Sequence, residues 1–518
     1  MNPLYPEVSH RATEDRLSNV INNILPTMNE LGRREFIGKS AMALAGATVV
    51  RKSLFGKNIS PGLPKAPRTF PARWKEPIND FGVVDLHCHP SLKMYLWNKK
   101  LWKRYRTSSG PNPFPLQYSV DEVGSGYVKG LLVAHYLVEA ALTRESAVLK
   151  KLFPLIKQFC SGLADKVEHE DYSNFTQINS MIDILETQIH LANAKQDKVE
   201  FVVARDFSEF EQALRLSKIP IAHAIEGAHA LGRNFPLTQK GKRAARGKGR
   251  LKEQETSDWY IRNLEALKAR GVCLMTIGHI FENDLVYPVE GISPDVKHTI
   301  KMTWTYTPAK DFPLRDIGKT VVRKMLDIGM IVDLTHSTPT ARKDVFQLNK
   351  ERMTDGKKLR PLTFTHTGAQ FIFEKYDRQY NRNAYDNFKF YDASEEEIDW
   401  ICECEGTIGI IPENFWLIGC DTNLNKDYKE RFKNGIEYIV ETIEHINCKT
   451  RTKNYDNISI GTDFDGFADA PKDLYKPSQL HSLIEALRRK GISNDNIRKI
   501  TSENALRLLR YGWGNPNS

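Results

Sequence analysis

The chain has no apolar run of bilayer-spanning length, no segment repeating at a fixed period and no cysteine framework. The first absence leaves no stretch long enough for a transmembrane helix. The second excludes solenoids and propellers. Its seven cysteines are odd in number and scattered, and Cys402 and Cys404 stand only two positions apart. No Cys-x-x-Cys pair occurs, so neither a disulfide-stapled scaffold nor a cysteine-rich zinc module is expected. Acidic residues are missing from one stretch, Lys240 to Lys252 (KGKRAARGKGRLK), which carries seven basic residues and most of the net charge of +10. A basic run can meet an anionic partner. This one has no interleaved aromatic residue and contains scattered Gly and Ala, so it reads as a solvated loop and no nucleic-acid partner is expected.

What is present is chemistry at the ends of apolar runs. Phe81-Gly-Val-Val-Asp-Leu-His87-Cys-His89-Pro90 reads as a strand whose two histidines, at i and i+2, project to one side. Two converging imidazoles begin a metal site. Taken alone they are equally well two satisfied structural histidines. Further runs follow the same plan. Gly130–Tyr136 is a candidate second strand, and Ile221–Glu226 ends in a carboxylate that needs a partner if it is buried. Gly271–His279, Gly329–His336, Arg360–His366, Gly406–Glu413 and Asn457–Asp463 complete the series.

Helical periodicity fills the gaps, at 139–197, 257–270, 316–328 and 477–511. Apolar strands alternating with helices specify a parallel sheet covered on both faces. Functional groups at one end of successive strands specify an α/β fold of the (β/α)8 TIM-barrel type, here with helical and loop insertions. A chain of 518 residues suits such a barrel. Phe201–Ala204 makes a ninth candidate for eight places, and it is the one to discard.

The N-terminal region reads differently. Arg33-Arg34 precede Ser40-Ala-Met-Ala-Leu-Ala-Gly-Ala-Thr-Val-Val50, a short apolar stretch of small residues. This resembles a bacterial twin-arginine export signal, with Met28 as an alternative start and a periplasmic destination. A basic amphipathic helix is the plainer alternative. Five prolines between 61 and 77 mark a linker. The expected organisation is an export-like segment 1–50, a Pro-rich linker 51–78 and a barrel domain 79–515.

His87, His89, Glu226, His279, His336, His366 and Asp463 then fall at the same end of successive strands. A pair of cations needs a bridging carboxylate, imidazoles on each ion and a base for water, and Glu226 suits the bridge. In order along the chain, Val-Asp-Leu-His87-Cys-His89, Ile-Glu226-Gly-Ala-His, Leu-Met-Thr-Ile-Gly-His279, Ile-Val-Asp-Leu-Thr-His336-Ser, Thr-Phe-Thr-His366-Thr-Gly-Ala, Asn-Arg382-Asn and Gly-Thr-Asp463-Phe-Asp-Gly resemble the membrane (renal-type) dipeptidase family, peptidase family M19 of the amidohydrolase superfamily. The resemblance runs from about residue 80 to 512. It implies a hydrolase with two zinc ions that cleaves dipeptides by attack of a metal-bridged hydroxide. His87 and His89 would hold one metal, His336 and His366 the other, with Glu226 between them. By the same resemblance His279 would hold the scissile carbonyl, Asp463 would carry the proton, and Arg382 would grip the substrate carboxylate. A small peptide is the expected partner, and a homodimer is left open.

The chain departs from the family at one position. The family reads His-x-Asp in the first strand, and this chain reads His87-x-His89. A neutral ligand in place of an anion raises the positive charge at that metal and is expected to alter metal preference or the pKa of water. Lactone, ester or other N-acyl hydrolysis, and a non-catalytic binding barrel, are the alternatives that this change keeps open.

Overall fold

A computed structural model describes residues 81–109, 114–125, 127–139, 141–142, 146, 173–232, 253–289, 291, 311–380, 388–418, 435–466 and 469–514. The twin-arginine stretch, the linker, the basic run from Lys240 to Lys252 and Arg382 lie outside these residues.

Among the described residues nine strands form one parallel sheet. They are β1 (Val83–Cys88), β2 (Val128–Tyr136), β3 (Phe201–Ala204), β4 (Ile219–Glu226), β5 (Val272–Thr276), β6 (Ile331–Asp333), β7 (Leu362–Thr367), β8 (Thr407–Ile410) and β9 (Ile458–Ile460). Eight follow one another in the order β1-β2-β4-β5-β6-β7-β8-β9. The circle is nearly closed by a bridge between Cys88 and Phe464, where Asp463 N–H donates to His87 O and His89 N–H to Phe464 O, each at 2.8 Å. This is the (β/α)8 barrel expected from the sequence.

β3 is a real strand, but it stands outside the ring of eight. It pairs with the first half of β4, from Phe201 against Ile219 to Ala204 against Ala222. β5 pairs with the second half, from His223 against Val272 to Glu226 against Thr276.

Helices cover the outside of the barrel, among them Glu253–Ala269, Asp316–Ile328, Pro339–Thr354, Gly435–Lys449 and Asn504–Gly512. Pro90 begins the first, Pro90–Trp97, one residue after His89. A proline at the first helical position sacrifices no hydrogen bond, so β1 stops where its last imidazole is delivered. Val84, Leu86, Leu132, Ala134, Ala222, Ala224 and Leu274 are buried together in one apolar cluster. Ala222, Ala224 and Glu226 share a face of β4, so this cluster lies directly beneath the strand ends that carry the functional groups.

Strict alternation would set His87 opposite Leu86, and His366 on the same face as Phe364. The ladder slips between Asp85 and Cys88 and again between Phe364 and Thr367. Such irregularities re-aim side chains next to functional sites. Here they accompany inward-turned histidines, while Cys88 and Phe364 pack in the larger outer cluster.

Candidate metal centre

Glu226 is the hub. It ends β4, is 2% exposed, and is followed by Gly227 at φ +88. A Cβ on Gly227 would lie 2.4 Å from the His229 ring, so only glycine lets the chain turn here. Five imidazoles present Nε2 to the Glu226 carboxylate. His87 and His366 approach Oε1 at 3.1 and 3.4 Å, and His336 approaches it at 3.5 Å. His89 and His279 approach Oε2 at 3.3 and 3.4 Å. Asp463 joins through His89, its Oδ1 3.0 Å from His89 Nε2. The structure thus brings together seven of the eight residues singled out in the sequence, and Arg382 falls outside the described residues.

His336 and Asp463 hold left-handed backbones, at φ +67 and +51. Such conformations in non-glycine residues persist where the surroundings over-determine them, commonly at functional sites.

The partners of the other ring nitrogens set the tautomers. Thr365 donates its one hydroxyl proton to Asp333 Oδ2 at 2.6 Å. Its oxygen then accepts from Nδ1 of His87 and Nδ1 of His366, both at 2.9 Å. His89 Nδ1–H donates to Ala134 O at 2.9 Å, and His279 Nδ1–H to Glu139 Oε2 at 3.0 Å. Each of these bonds commits Nδ1 and leaves Nε2 turned toward Glu226, where it can take a metal ion or a proton, the usual way that a metal-ligating histidine is oriented.

Two contacts test whether the donor set fits a cation. His87 and His89 bring their Nε2 atoms to 2.9 Å, and His336 and His366 to 3.1 Å. Lone pairs so close repel unless a proton or a metal ion lies between them. The groups able to share an ion are His87, His89 and Glu226, and Glu226, His336 and His366, with a third that contains His87, Asp333 and His366. Asp333 is the least available ligand, because its two oxygens already accept from Thr276, Thr335 and Thr365. Among the described residues Glu226 pairs only with histidines. A set of imidazole nitrogens around carboxylate oxygens fits zinc.

The charge states follow from the same geometry. Burial alone would push Glu226 up, but His279, His89 and His87 outweigh it and hold the carboxyl well below its usual range. Burial pulls His89 down, yet Glu226 and Asp463 lift it to about 9. Burial drives His336 down, and drives His366, crowded also by His87, far below the ordinary value.

Three supporting residues carried no assignment from the sequence. Asp333 and Thr365 sit inside the quoted motifs as polar residues in otherwise apolar strands, and that mismatch was the available signal. Glu139 follows β2 by three residues, within the stretch expected to be helical, and in the structure it reaches the site. Its signal was also there: an apolar run ending in a carboxylate, as at Glu226.

A family model described as membrane dipeptidase (peptidase family M19) matches residues 258–512. The match, over just under half of the chain, supports membership of the membrane dipeptidase family. His279, His336, His366 and Asp463 lie inside the matched span, while His87, His89, Glu139 and Glu226 precede it and are joined to it by the fold. Among curated relatives, Dipeptidase tcpJ of Claviceps purpurea is 29% identical over 195 residues, 37% of each chain. An uncharacterized dipeptidase of Schizosaccharomyces pombe is 27% identical over 197 residues, 38% of this chain and 40% of that one. The chain therefore matches well under half the length of these curated relatives. In fold it is similar to a metallopeptidase from Rhodobacter sphaeroides, solved with a phosphinate mimic of the dipeptide L-Ala-D-Ala. That likeness has a TM-score of 0.56 at 16% identity and covers 84% of this chain and 99% of that one.

Proposed function

We propose that the chain is a hydrolase of dipeptides that works with two zinc ions. The observation that carries this reading is Glu226, one buried carboxylate with the Nε2 atoms of five histidines 3.1 to 3.5 Å away. His87, His89 and Glu226 would hold one ion, and Glu226, His336 and His366 the other. When bound, the ions would supply an ionised water at neutral pH and polarise a carbonyl.

The chain's own residues do the rest. His279 faces the space over Glu226 and orients the scissile carbonyl. Asp463 Oδ1 takes up the proton released on attack and returns it to the leaving amine. Its side chain is 18% exposed against 2% for His89, which suits a group that meets substrate. Arg382 is assigned to the substrate carboxylate on its motif alone. Tyr391 donates to His366 O at 3.1 Å and stacks on Trp416 at 3.9 Å, walling the second metal position.

Elemental analysis followed by a dipeptide panel tests the reading. About two zinc ions per chain with dipeptide cleavage are expected; protein that binds no metal and cleaves no dipeptide refutes it. A second reading, hydrolysis of lactones, esters or other N-acyl compounds, is favoured by the neutral His89. Turnover of those substrates without peptide cleavage would select it.

We also propose that residues 1–50 direct export and that the barrel domain occupies 79–515. The curated relatives quoted above are fungal and lend no support to a bacterial periplasm. Among the described residues no helix is long and apolar enough to cross a membrane. Cell fractionation of the full chain against an Arg33→Lys/Arg34→Lys variant would decide the matter, with retention of the variant expected.

A further inference from the structure

Glu139 is a buried carboxylate, 6% exposed, and a buried charge is costly unless its lone pairs are taken up. Three donors converge on it. Tyr136 O–H donates to Oε2 at 2.8 Å, His279 Nδ1–H to Oε2 at 3.0 Å, and Phe281 N–H to Oε1 at 3.1 Å. No lysine or arginine pairs with it among the described residues; its one ionisable partner in an ion pair is His279. All three donors belong to segments that build the site. Tyr136 closes β2, and His279 and Phe281 follow β5.

The Tyr136 ring also packs on the His279 ring, with centroids 4.2 Å apart. His279 is thereby held by its face and by Nδ1, while Nε2 stands 3.4 Å from Glu226 Oε2. The segment carrying Glu139 is fixed in turn, because His229 Nε2–H donates to Leu137 O at 2.7 Å. An imidazole left without its Nδ1 partner rotates about χ2, a broad and nearly two-fold torsion, and its nitrogens exchange places with carbons.

We infer that Glu139 is a positioning residue: it fixes the ring plane and nitrogen placement of His279, so that Nε2 points into the space over Glu226 where a substrate carbonyl enters. This rests on the hydrolase reading of the same site. It adds a carboxylate that acts on substrate only through His279.

The experiment is a cycle of Glu139→Ala, Glu139→Gln, His279→Ala and the double variant Glu139→Ala/His279→Ala. Zinc content, melting temperature, kcat and KM on a dipeptide, and the affinity of a phosphinate dipeptide mimic are measured on the full chain. Loss of an outer partner of this kind is expected to lower kcat/KM by about 10–100-fold with zinc content unchanged. In the His279→Ala background the same change is expected to cost less than about 3-fold, because residues acting as a unit are not additive. An equal loss in both backgrounds, or a loss of zinc, overturns the inference and marks Glu139 as a structural or ligand residue. Should Glu139→Ala fail to fold, Glu139→Leu carries the same cycle, since it removes both acceptor oxygens and keeps most of the volume, while Glu139→Gln, which keeps one acceptor oxygen, should lose less.

If the wild type holds zinc yet cleaves no dipeptide, the hydrolase reading fails separately. The inference is then decided by the imidazole N–H proton resonance of His279 in the zinc-loaded protein. Its loss in Glu139→Ala supports the positioning role, and its persistence overturns it.

Discussion

Replacing His89 by aspartate would restore the family's usual residue, and the structure says what that costs before metal arrives. His89 Nε2 lies 3.3 Å from Glu226 Oε2 and 3.0 Å from Asp463 Oδ1. In metal-free protein these two carboxylates lift His89 from 6.5 to about 9 against the pull of burial. A pKa raised on folding adds stability that is complete below the unfolded value and is lost as pH rises through the folded one. The window is therefore pH 6.5 to 9, and the lift corresponds to about 3 kcal/mol.

His89→Asp removes that contribution and sets a third carboxylate beside the other two. At about 5 Å and an effective dielectric near 20, each like-charged pair costs roughly 3 kcal/mol. The variant relieves this by taking up a proton, so its metal-free stability should rise on acidification, where that of the wild type is already complete. The assay is urea unfolding from pH 6 to 9 with chelator and with zinc. At neutral pH the metal-free variant should lie about 3–6 kcal/mol below the metal-free wild type, and zinc should remove most of the gap. Zinc binding to the wild type should strengthen with pH up to about 9, because the ion displaces the His89 proton. Equal metal-free stabilities at pH 7, or an equal zinc shift in both proteins, would refute the reasoning.

Thr365→Val removes the acceptor shared by Nδ1 of His87 and His366 and should weaken zinc about 10–100-fold in a chelator competition; unchanged affinity would show that Thr365 does not orient those rings. Gly466→Ala would place a Cβ 2.0 Å from Asp463 Oδ1 and 2.6 Å from His89 Cδ2, so kcat on a dipeptide should fall far more than the melting temperature does. Lys93→Met strips Asp465 of a buried ammonium 2.9 Å away and should cost about 3–5 kcal/mol in urea unfolding, since it leaves a buried charge uncompensated.

The barrel was legible because its strands are apolar runs of the right length, each ending in a residue with chemistry. Even the exclusion of Phe201–Ala204 followed from counting. The reason for it was not legible: β4 is long enough to give its first half to β3 and its second half to β5. Period-two alternation correctly set His87 beside His89. Carried back along β1, it would have put Leu86 and His87 on opposite faces. Periodicity is a rule of regular ladders, and the ladder slips between Asp85 and Cys88.

The residues that went unassigned share a feature. Glu139, Asp333 and Thr365 act by holding another side chain, and each has a partner remote in sequence. Thr365 orients His87 across 278 positions, and Glu139 meets His279 across 140. A sequence displays which strands end in ligands, because that is a local property of each strand. Which buried acceptor receives which Nδ1 is decided only when the ring of strands closes. The His89 substitution belongs to the same class. Its identity is plain in the sequence, but its consequence depends on Asp463, brought to 3.0 Å from the far end of the chain by the bridge between β1 and the segment after β9. An imidazole between two carboxylates is a different object from an imidazole that merely replaces one. The first adds stability to the metal-free site at neutral pH, and the second would only have weakened a ligand set.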